Sequence, residues 1–243
     1  MIAITRDISA RIVDCELTHL DREPIDLERA RAQHREYRDA LASLGCDVIE
    51  LAADDAYPDC VFVEDTAIVL DDVAVITRPG AESRRGETRA IADALAPHRE
   101  LAFIEAPATI DGGDVLRLGN QLFVGRSART NDAALAQLAR YCEVIPVAID
   151  GCLHLKSAIT QIAPDALLVN RAWVDVAPFA GWKLIDVDPA EPFAANALRI
   201  NDALIYPAAF PRTRQRLGGD VRLVDASELA KAEGGVTCCS LLV

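Results

Sequence analysis

The stretch TAIVLDDVAVIT, residues 66–77, contains the pattern that decides the fold. Two apolar runs rich in β-branched residues flank a polar pair, which is the pattern of a β-hairpin. Three later stretches repeat this arrangement of two apolar runs around a two-residue polar turn. They are DVLRLGNQLFVG (114–125), ITQIAPDALLVN (159–170) and ALRINDALIYP (197–207). The chain therefore has four predicted hairpins.

The hairpins form a degenerate repeat. Their turns begin at Asp71, Gly119, Pro164 and Asn201, at intervals of 48, 45 and 37 residues. A repeat of this length indicates one supersecondary unit copied several times along the chain.

Helical and extended segments complete the unit. Helical periodicity over residues 84–95 and 131–141 precedes the apolar runs LAFIEAP and CEVIPVAI. The N-terminal third supplies AITR, a charged helix over residues 25–44 and the strand CDVIEL. Five strand–strand–helix–strand units fit the chain, so we predict one α/β domain over residues 1–243. Closed into a ring, the units would direct polar residues at their hairpin ends towards a shared centre.

Composition excludes several classes of protein. A net charge of −13 without a basic tract opposes nucleic-acid binding. No apolar run is long enough to span a membrane, and MIAITRDISA is unlike a signal peptide. The seven cysteines are an odd set without paired metal-ligand spacing. These features predict a cytoplasmic protein that binds neither nucleic acid nor membrane.

Two adjacent carboxylates interrupt the apolar run CVFVEDTAIV, residues 60–69. Neighbouring side chains on a strand face opposite sides, so we expect at most one of Glu64 and Asp65 to point into the core. A buried carboxylate needs a cation or several donors. The pair is either a cradle for a guanidinium or ammonium group or a strand-end salt bridge.

The next polar clusters lie at residues 109–119 and 151–160. Asp111 and Asp114 flank two glycines, which allow a tight turn or a close approach of backbone to a ligand. His154 begins a hairpin strand among apolar residues, whereas the other three histidines lie in charged or loop-like surroundings. His154 is thus the best general acid and base, with a structural histidine as the alternative.

The last cluster is GGVTCCSLLV, residues 234–243, a predicted strand that carries Cys238 and Cys239. On a strand, one cysteine would face the centre and the other the core. A nucleophilic role requires a nearby base, whereas a buried cysteine is ordinarily inert. Arg84 and Arg129 follow hairpins, and arginine binds carboxylates through two parallel hydrogen bonds. They are candidate ligands of a substrate carboxylate or ordinary surface residues.

Five blocks in series resemble dimethylargininase, also called dimethylarginine dimethylaminohydrolase, a family of guanidino-modifying penteins. The blocks are FVEDTAIV, ITRPGAESRR, DGGDVLRLGNQLFVGRSARTN, LHLKSAIT and TCCSLLV. The resemblance implies a pentein fold, an α/β propeller of five ββαβ units around a central site. This agrees with the repeat found in the hairpins.

The resemblance also implies roles for individual residues. Cys238 is the nucleophile, His154 the acid and base, and Asp111 its acidic partner. Glu64 and Asp65 bind the guanidino nitrogens. The remaining substrate-binding positions are Arg84 and Arg129 for the carboxylate, and Asp59, Leu17 and Ala232 near the amino end. Leu17 lies in a weakly matching lid region, CELTHLDREP, residues 15–24, which we name the lid segment.

The implied reaction is hydrolysis of a methylated arginine to citrulline and an amine through a covalent thiouronium, with no metal or cofactor. The substrate is a small molecule, and a homo-oligomer is an open option. One alternative is an arginine deiminase-type hydrolase that acts on arginine or another guanidino amino acid. A second is a noncatalytic pentein that serves as a binding protein.

Overall fold

The computed structural model describes residues 1–243 and contains five three-stranded sheets. The strands are β1 (Ile2–Arg6), β2 (Asp47–Leu51), β3 (Ala67–Val69), β4 (Val73–Ile76), β5 (Glu100–Phe103), β6 (Val115–Leu118), β7 (Gln121–Gly125), β8 (Glu143–Val147), β9 (Ile159–Ala163), β10 (Ala166–Val169), β11 (Lys183–Asp186), β12 (Leu198–Ile200), β13 (Ala203–Pro207), β14 (Asp220–Val224) and β15 (Leu241–Leu242). The helices are α1 (Leu27–Ser43), α2 (Thr88–Leu95), α3 (Asp132–Leu138), α4 (Leu155–Ala158), α5 (Pro211–Arg214) and α6 (Ser227–Ala230).

Four sheets share one plan, and we call each sheet with its connection a blade. Two strands form an antiparallel hairpin, and a third strand pairs in parallel with the second, in the orders β3-β4-β5, β6-β7-β8, β9-β10-β11 and β12-β13-β14. Helices α2, α3 and α5 make the parallel connection in three blades, and a 3-10 turn over Ala177–Phe179 stands in the fourth. The four predicted hairpins and the repeating unit are confirmed.

The fifth blade is assembled from the two ends of the chain. Strand β1 pairs in parallel with β2 and antiparallel with β15, so that Ala3 lies opposite Leu242. Strand β15 is therefore the first strand of this blade, and helix α1 is its connection. Its pairing with β1 closes the ring, which the hairpin pattern alone did not reveal.

Local sequence accounts for the ends of these elements. Gly119 and Asn201 have φ values of 60° and 53° in their hairpin turns, a conformation that glycine and asparagine adopt readily. Asp26 and Asn131 are the N-cap residues of α1 and α3. Each side chain accepts a hydrogen bond from the backbone N–H three residues later, at 3.0 and 3.1 Å. These capping contacts satisfy N–H groups that otherwise lack partners.

The core is divided into five apolar clusters. The largest receives Tyr37 and Leu41 from α1 and Ile205 from β13. Apolar residues thus recur along α1 on the face that packs inward, as its periodicity predicts. None of the helices combines the length and apolar character that crossing a bilayer requires.

Three predictions of local structure were wrong. Glu64 and Asp65 lie in a 3-10 turn over Val63–Thr66, and both are buried, because the turn frees them from the alternation of a strand. Cys238 lies in a turn that precedes β15, and His154 precedes α4 rather than beginning a strand. The expectation that His34 lies in charged or loop-like surroundings was also wrong, because His34 is buried on the inner face of α1.

Candidate active site

All five blades contribute to one polar centre, each from the segment directly before the first strand of its hairpin. The contributing side chains are Glu64 and Asp65 before β3, Asp111 before β6, His154 and Lys156 before β9, Asn196 before β12, and Thr237 and Cys238 before β15. Hydrogen bonds between these segments span as many as 173 residues of sequence. The ring therefore brings together residues that the sequence keeps far apart.

His154 is held between two carboxylates. Its Nε2 lies 3.1 Å from Oδ2 of Asp111, and its Nδ1 lies 3.8 Å from Oδ1 of Asp65. Burial by itself lowers the pKa of His154, but Asp65, the hydrogen bond with Asp111 and the nearby Asp114 outweigh it and raise the pKa to about 9. His154 is therefore an imidazolium at neutral pH, ready to donate a proton.

Asp111 is completely buried and is oriented from several sides. The backbone N–H of Gly80 donates to its Oδ1 at 2.8 Å, and the guanidinium of Arg129 lies 4.0 Å from its Oδ2. The Gly80 hydrogen bond engages Oδ1 and leaves Oδ2 directed at His154. The predicted acidic partner of the histidine is thus in contact with it.

Asp65 is ionised in spite of its burial. Arg84 Nη1 donates to its Oδ2 at 2.6 Å, and the backbone N–H of Gly113 donates to its Oδ1 at 3.0 Å. Burial raises the pKa of Asp65, but His154 and Arg84 outweigh this effect and hold the pKa at about 2. A permanent negative charge therefore lies in the centre of the site.

Gly112 and Gly113 allow the close packing around Asp65 and His154. A Cβ on Gly113 would lie 2.6 Å from His154 Nδ1 and 2.8 Å from Asp65 Oδ1, and one on Gly112 would lie 2.0 Å from the Glu64 carbonyl oxygen. Neither glycine has a positive φ. Their small size therefore lets the backbone approach the other site residues, whereas the sequence had suggested an approach to a ligand.

Arg84 has contacts that differ from the expected ones. Its guanidinium also binds both oxygens of Glu87, at 3.1 and 2.9 Å, and the carbonyl oxygen of Phe62 at 3.1 Å. The side chain is 6% exposed. These contacts make Arg84 the counter-ion of Asp65, and its binding of a substrate carboxylate stays a prediction.

Glu64 has a different partner from its sequence neighbour. Lys156 Nζ donates to its Oε1 at 2.6 Å, and the Thr237 hydroxyl donates to its Oε2 at 2.7 Å. Burial raises the pKa of Glu64 above its usual range, and Lys156 and Thr237 offset this only in part. The backbone N–H of Glu64 donates to the carbonyl oxygen of Cys238 at 3.1 Å, which links Glu64 to the turn that carries Cys238.

Cys238 is half-buried, and its Sγ accepts the N–H of Gly235 at 3.3 Å. Burial, followed by the charges of Glu64 and Asp65, raises the pKa of this thiol to about 12, against the opposing effects of Gly235 and Lys156. Cys238 is therefore a thiol at neutral pH. A cation placed between the sulfur and the two carboxylates would favour the thiolate.

Cys239 is the cysteine of the pair that faces the core. It is buried in the largest apolar cluster, and its thiol contacts the carbonyl oxygen of Gly235 at 3.6 Å. The turn separates the two cysteines into a polar and an apolar environment, as the alternation of a strand would have done.

The remaining predicted residues lie beside the lid segment. The carboxylate of Asp59 accepts the backbone N–H of Glu16 at 3.1 Å, and Arg129 donates to the Thr18 hydroxyl at 3.2 Å. Leu17 is half-buried against the apolar cluster that contains Ala232, and Cys238 borders the same cluster. Burial raises the pKa of Asp59 above its ordinary value.

Ligand atoms of Asp65, Asp111 and His154 lie within 4.8 Å of one another, a spacing that a metal ion could bridge. Their mutual contacts, together with Arg84, Gly80 and Gly113, already account for this proximity. We therefore interpret the trio as a hydrogen-bonded acid–base group.

Sequence reasoning missed three polar side chains at this centre, Lys156, Asn196 and Thr237, and gave Asp114 no role beyond its place beside the glycines. Asn196 binds the Lys156 carbonyl oxygen and the Thr237 hydroxyl, both at 3.0 Å. Asp114, with a pKa raised by burial to about 6, accepts the N–H of Leu155 at 3.1 Å and the Thr130 hydroxyl at 2.6 Å. The missed signal was positional: Asn196 occupies the same place in its repeat as the residues already found.

Comparison with known proteins agrees with this architecture. The family model described as N,N dimethylarginine dimethylhydrolase, eukaryotic, matches residues 17–169. The N(G),N(G)-dimethylarginine dimethylaminohydrolases of Pseudomonas aeruginosa and Streptomyces coelicolor are each 38% identical to this chain. The first alignment covers 89% of both chains, and the second covers 98% of this chain and 95% of the relative.

A solved structure of the Pseudomonas aeruginosa enzyme, a cysteine-to-serine mutant complexed with citrulline, superposes with a TM-score of 0.93. It is 35% identical, and the match covers 98% of this chain and 97% of that one. Five three-stranded blades around a shared polar centre define the pentein fold. Within that class, the chain belongs to the dimethylarginine dimethylaminohydrolase family.

Proposed function

We propose that this protein hydrolyses Nω-methylated arginines, namely asymmetric dimethylarginine and monomethylarginine, to citrulline and dimethylamine or methylamine. The observation that carries the proposal is the environment of Cys238. Its thiol lies in the field of two buried carboxylates, one of which, Asp65, also holds the imidazolium of His154. This arrangement suits a cationic substrate and a nucleophile that the substrate itself activates.

The reaction begins with the substrate cation. A guanidinium beside Asp65 offsets the negative field that holds the Cys238 thiol protonated, so the thiol releases its proton to solvent and the thiolate forms when substrate is bound. Sulfur attacks the guanidinium carbon, the bond to the methylated nitrogen breaks, and His154 gives its proton to the departing amine. The product of this half-reaction is a thiouronium on Cys238.

Water completes the reaction. His154, now neutral and still oriented by Asp111, takes a proton from water as the water oxygen attacks the same carbon. The carbon–sulfur bond then breaks, which releases citrulline and restores the nucleophile. The role of Asp111 is to hold the imidazole and stabilise its charged form.

Binding of the amino-acid end is assigned to the residues beside the lid segment. We propose Arg129 and Arg84 for the substrate carboxylate, with Asp59, Leu17 and Ala232 near the amino group. Arg129 is the better supported of the two arginines, because Arg84 already binds Asp65 and Glu87. Glu64 would contribute negative potential that is tempered by Lys156.

We propose that residues 1–243 act as one catalytic domain, which the pairing of β1 with β15 supports. The seven unpaired cysteines support a cytoplasmic location, because thiols persist in reducing compartments. The acidic composition supports the absence of nucleic-acid and membrane partners. The homo-oligomer remains a prediction, and light scattering of the purified protein tests it.

The test compares asymmetric dimethylarginine, monomethylarginine and arginine as separate substrates, with citrulline and the released amine measured together. Wild-type protein is expected to release dimethylamine and methylamine, and Cys238→Ser to release neither. Turnover of arginine alone would reassign the chain as a deiminase-type hydrolase. No turnover of any substrate by folded protein would favour a noncatalytic binding protein.

A further inference from the structure

A cavity of about 390 Å³ lies against the nucleophile. Cys238 is the one member of the ten predicted site residues that lines it. His154, Asp65 and Asp111 are buried away from its walls. The cavity therefore borders Cys238 without being lined by the acid–base group or by the proposed amino-acid ligands.

Much of the lining is apolar. Leu20, Cys152, Leu153, Phe193 and Phe210 contribute to the walls. Phe193 is 48% exposed and stacks edge-on against Trp173, with ring centroids 4.9 Å apart. An exposed aromatic ring beside an apolar cavity offers contact area to an apolar group.

Three polar side chains of the lining, Lys231, Glu233 and Asn196, already have partners within the protein. Lys231 Nζ binds Glu228 at 2.6 Å. The Glu233 carboxylate accepts backbone N–H groups of the lid segment, and Asn196 binds Thr237 and the Lys156 carbonyl oxygen. A charged occupant would compete with these contacts, whereas an apolar occupant leaves them intact.

We propose that this cavity binds an apolar substituent on the ω-nitrogen of an arginine substrate, of a size well beyond methyl, such as butyl or benzyl. The inference rests on the proposed function, because it places the guanidinium carbon beside Cys238. A group carried on a nitrogen of that carbon begins two bonds from the atom under attack. It thus starts next to the one residue that the site and the cavity share.

Size favours substituents larger than methyl. The cavity, at about 390 Å³, is many times larger than the roughly 10–15 Å³ that one water molecule requires. Two methyl groups would leave most of this space unoccupied. An alkyl chain or an aromatic ring would bury more apolar area and displace more water from the walls.

The chemistry is unchanged by the larger substituent. Nω-butyl-arginine and water give citrulline and butylamine. The carbon–nitrogen bond breaks as the carbon–sulfur bond forms, His154 supplies the proton to the amine, and water then replaces sulfur. No further reactant is required.

The test measures kcat/KM for Nω-methyl-, Nω-butyl- and Nω-benzyl-L-arginine, with citrulline and the matching amine as products. Values for the butyl or benzyl compound equal to or above that for the methyl compound are expected. Turnover of the methyl compound with a loss of about a hundredfold or more for both larger ones would overturn the inference, since buried methylenes that fit normally gain affinity. Failure of all three, together with dimethylarginine, would instead overturn the proposed function.

A pair of adjacent exposed alanines provides the matched variants. Ala209 lines the cavity, and Ala208 does not. We expect Ala209→Phe to lower kcat/KM for the butyl and benzyl substrates by about tenfold while the methyl substrate changes less than about twofold. Ala208→Phe should leave all three unchanged. An equal loss for every substrate in Ala209→Phe, or no loss for any, would contradict the assignment of the cavity.

Discussion

The floor of the site and the lid segment beside it are stabilised by different means. By the floor we mean Asp65, Arg84, Glu87, Asp111 and His154, whose charged groups face one another in the interior at distances as short as 2.6 Å. The lid segment, residues 15–24, has no regular secondary structure and is largely exposed. The Glu233 carboxylate accepts its N–H groups at Thr18, His19 and Leu20, the last at 2.7 Å.

This contrast separates two requirements of catalysis. Charges in the floor are paired and excluded from water, so they are oriented before substrate arrives. The lid segment depends on a few exposed contacts, which can break at small cost in free energy. The floor is therefore the more rigid of the two regions, and the lid segment is the more adaptable.

The largest expected effect comes from breaking the floor at its cation. Arg84→Met leaves Glu87 buried without a counter-ion and Asp65 with His154 alone, and we expect a loss of about 3–5 kcal/mol in the free energy of unfolding. Urea denaturation measures this loss. The matched control is Arg85→Met, whose pair with the exposed Glu82 should be worth less than about 1 kcal/mol. Equal effects of the two substitutions would contradict the distinction.

The next effect tests the charge of His154. Because its folded pKa, about 9, exceeds its ordinary value of 6.5, its stabilising contribution is complete below pH 6.5 and is lost as pH rises through 9. The loss is on the order of 3 kcal/mol. Unfolding measured between pH 6.5 and 9 should show this decline in wild type and a flatter profile in His154→Asn. Parallel profiles would refute a charged histidine in the floor.

Lys156 provides a smaller change at the edge of the floor. Lys156→Met removes the cation that offsets Glu64, so the pKa of Cys238 should rise and its alkylation by iodoacetamide should slow by up to about tenfold. Mass spectrometry identifies the alkylated residue, and Cys238→Ser provides the blank. Lys156→Arg should retain most of the rate, as should Lys183→Met on the surface. Unchanged or faster alkylation in Lys156→Met would rule out the electrostatic role.

The smallest expected effect on global stability comes from the lid segment. Glu233→Gln removes the charge that three N–H groups share, so amide hydrogen exchange at Thr18 and Leu20 should accelerate about tenfold. The free energy of global unfolding should change by less than about 1 kcal/mol. Glu23→Gln, an exposed change within the same segment, is the control. A large global loss would mean that the lid segment is as tightly integrated as the floor.

Structural features that depend on residues close together in the sequence were predictable, whereas those that depend on distant segments were not. The hairpins were identified correctly because their turns and alternating runs lie within a dozen residues of one another. Glu64 and Asp65 were assigned to a strand because CVFV resembles one. They adopt a turn instead, which allows both carboxylates to be buried against cations from distant segments, Lys156 and Arg84.

Site residues were predictable where a motif marked them and were missed where only position did. His154 and Asp111 belong to recognisable blocks, and the structure brings them to 3.1 Å. Asn196 has no distinctive neighbours in sequence, and its importance comes from bonds to Thr237 and Lys156 across the centre. The partners of Arg84 could not be assigned in advance either, since a surface arginine and a buried counter-ion have the same local sequence.

The repeating unit and the number of blades could be inferred from the amino-acid sequence, because hydrophobic periodicity and turn chemistry act locally along the chain. The family was indicated by the resemblance of five motif blocks. Folding was needed to establish which cation neutralises which carboxylate, which side chains contact Cys238, and that a cavity adjoins it. Closure of the ring by β1 and β15 sets these relations. Charge pairs across a closed ring depend on distances in space. Adjacent residues such as Glu64 and Asp65 can therefore have pKa values shifted in opposite directions.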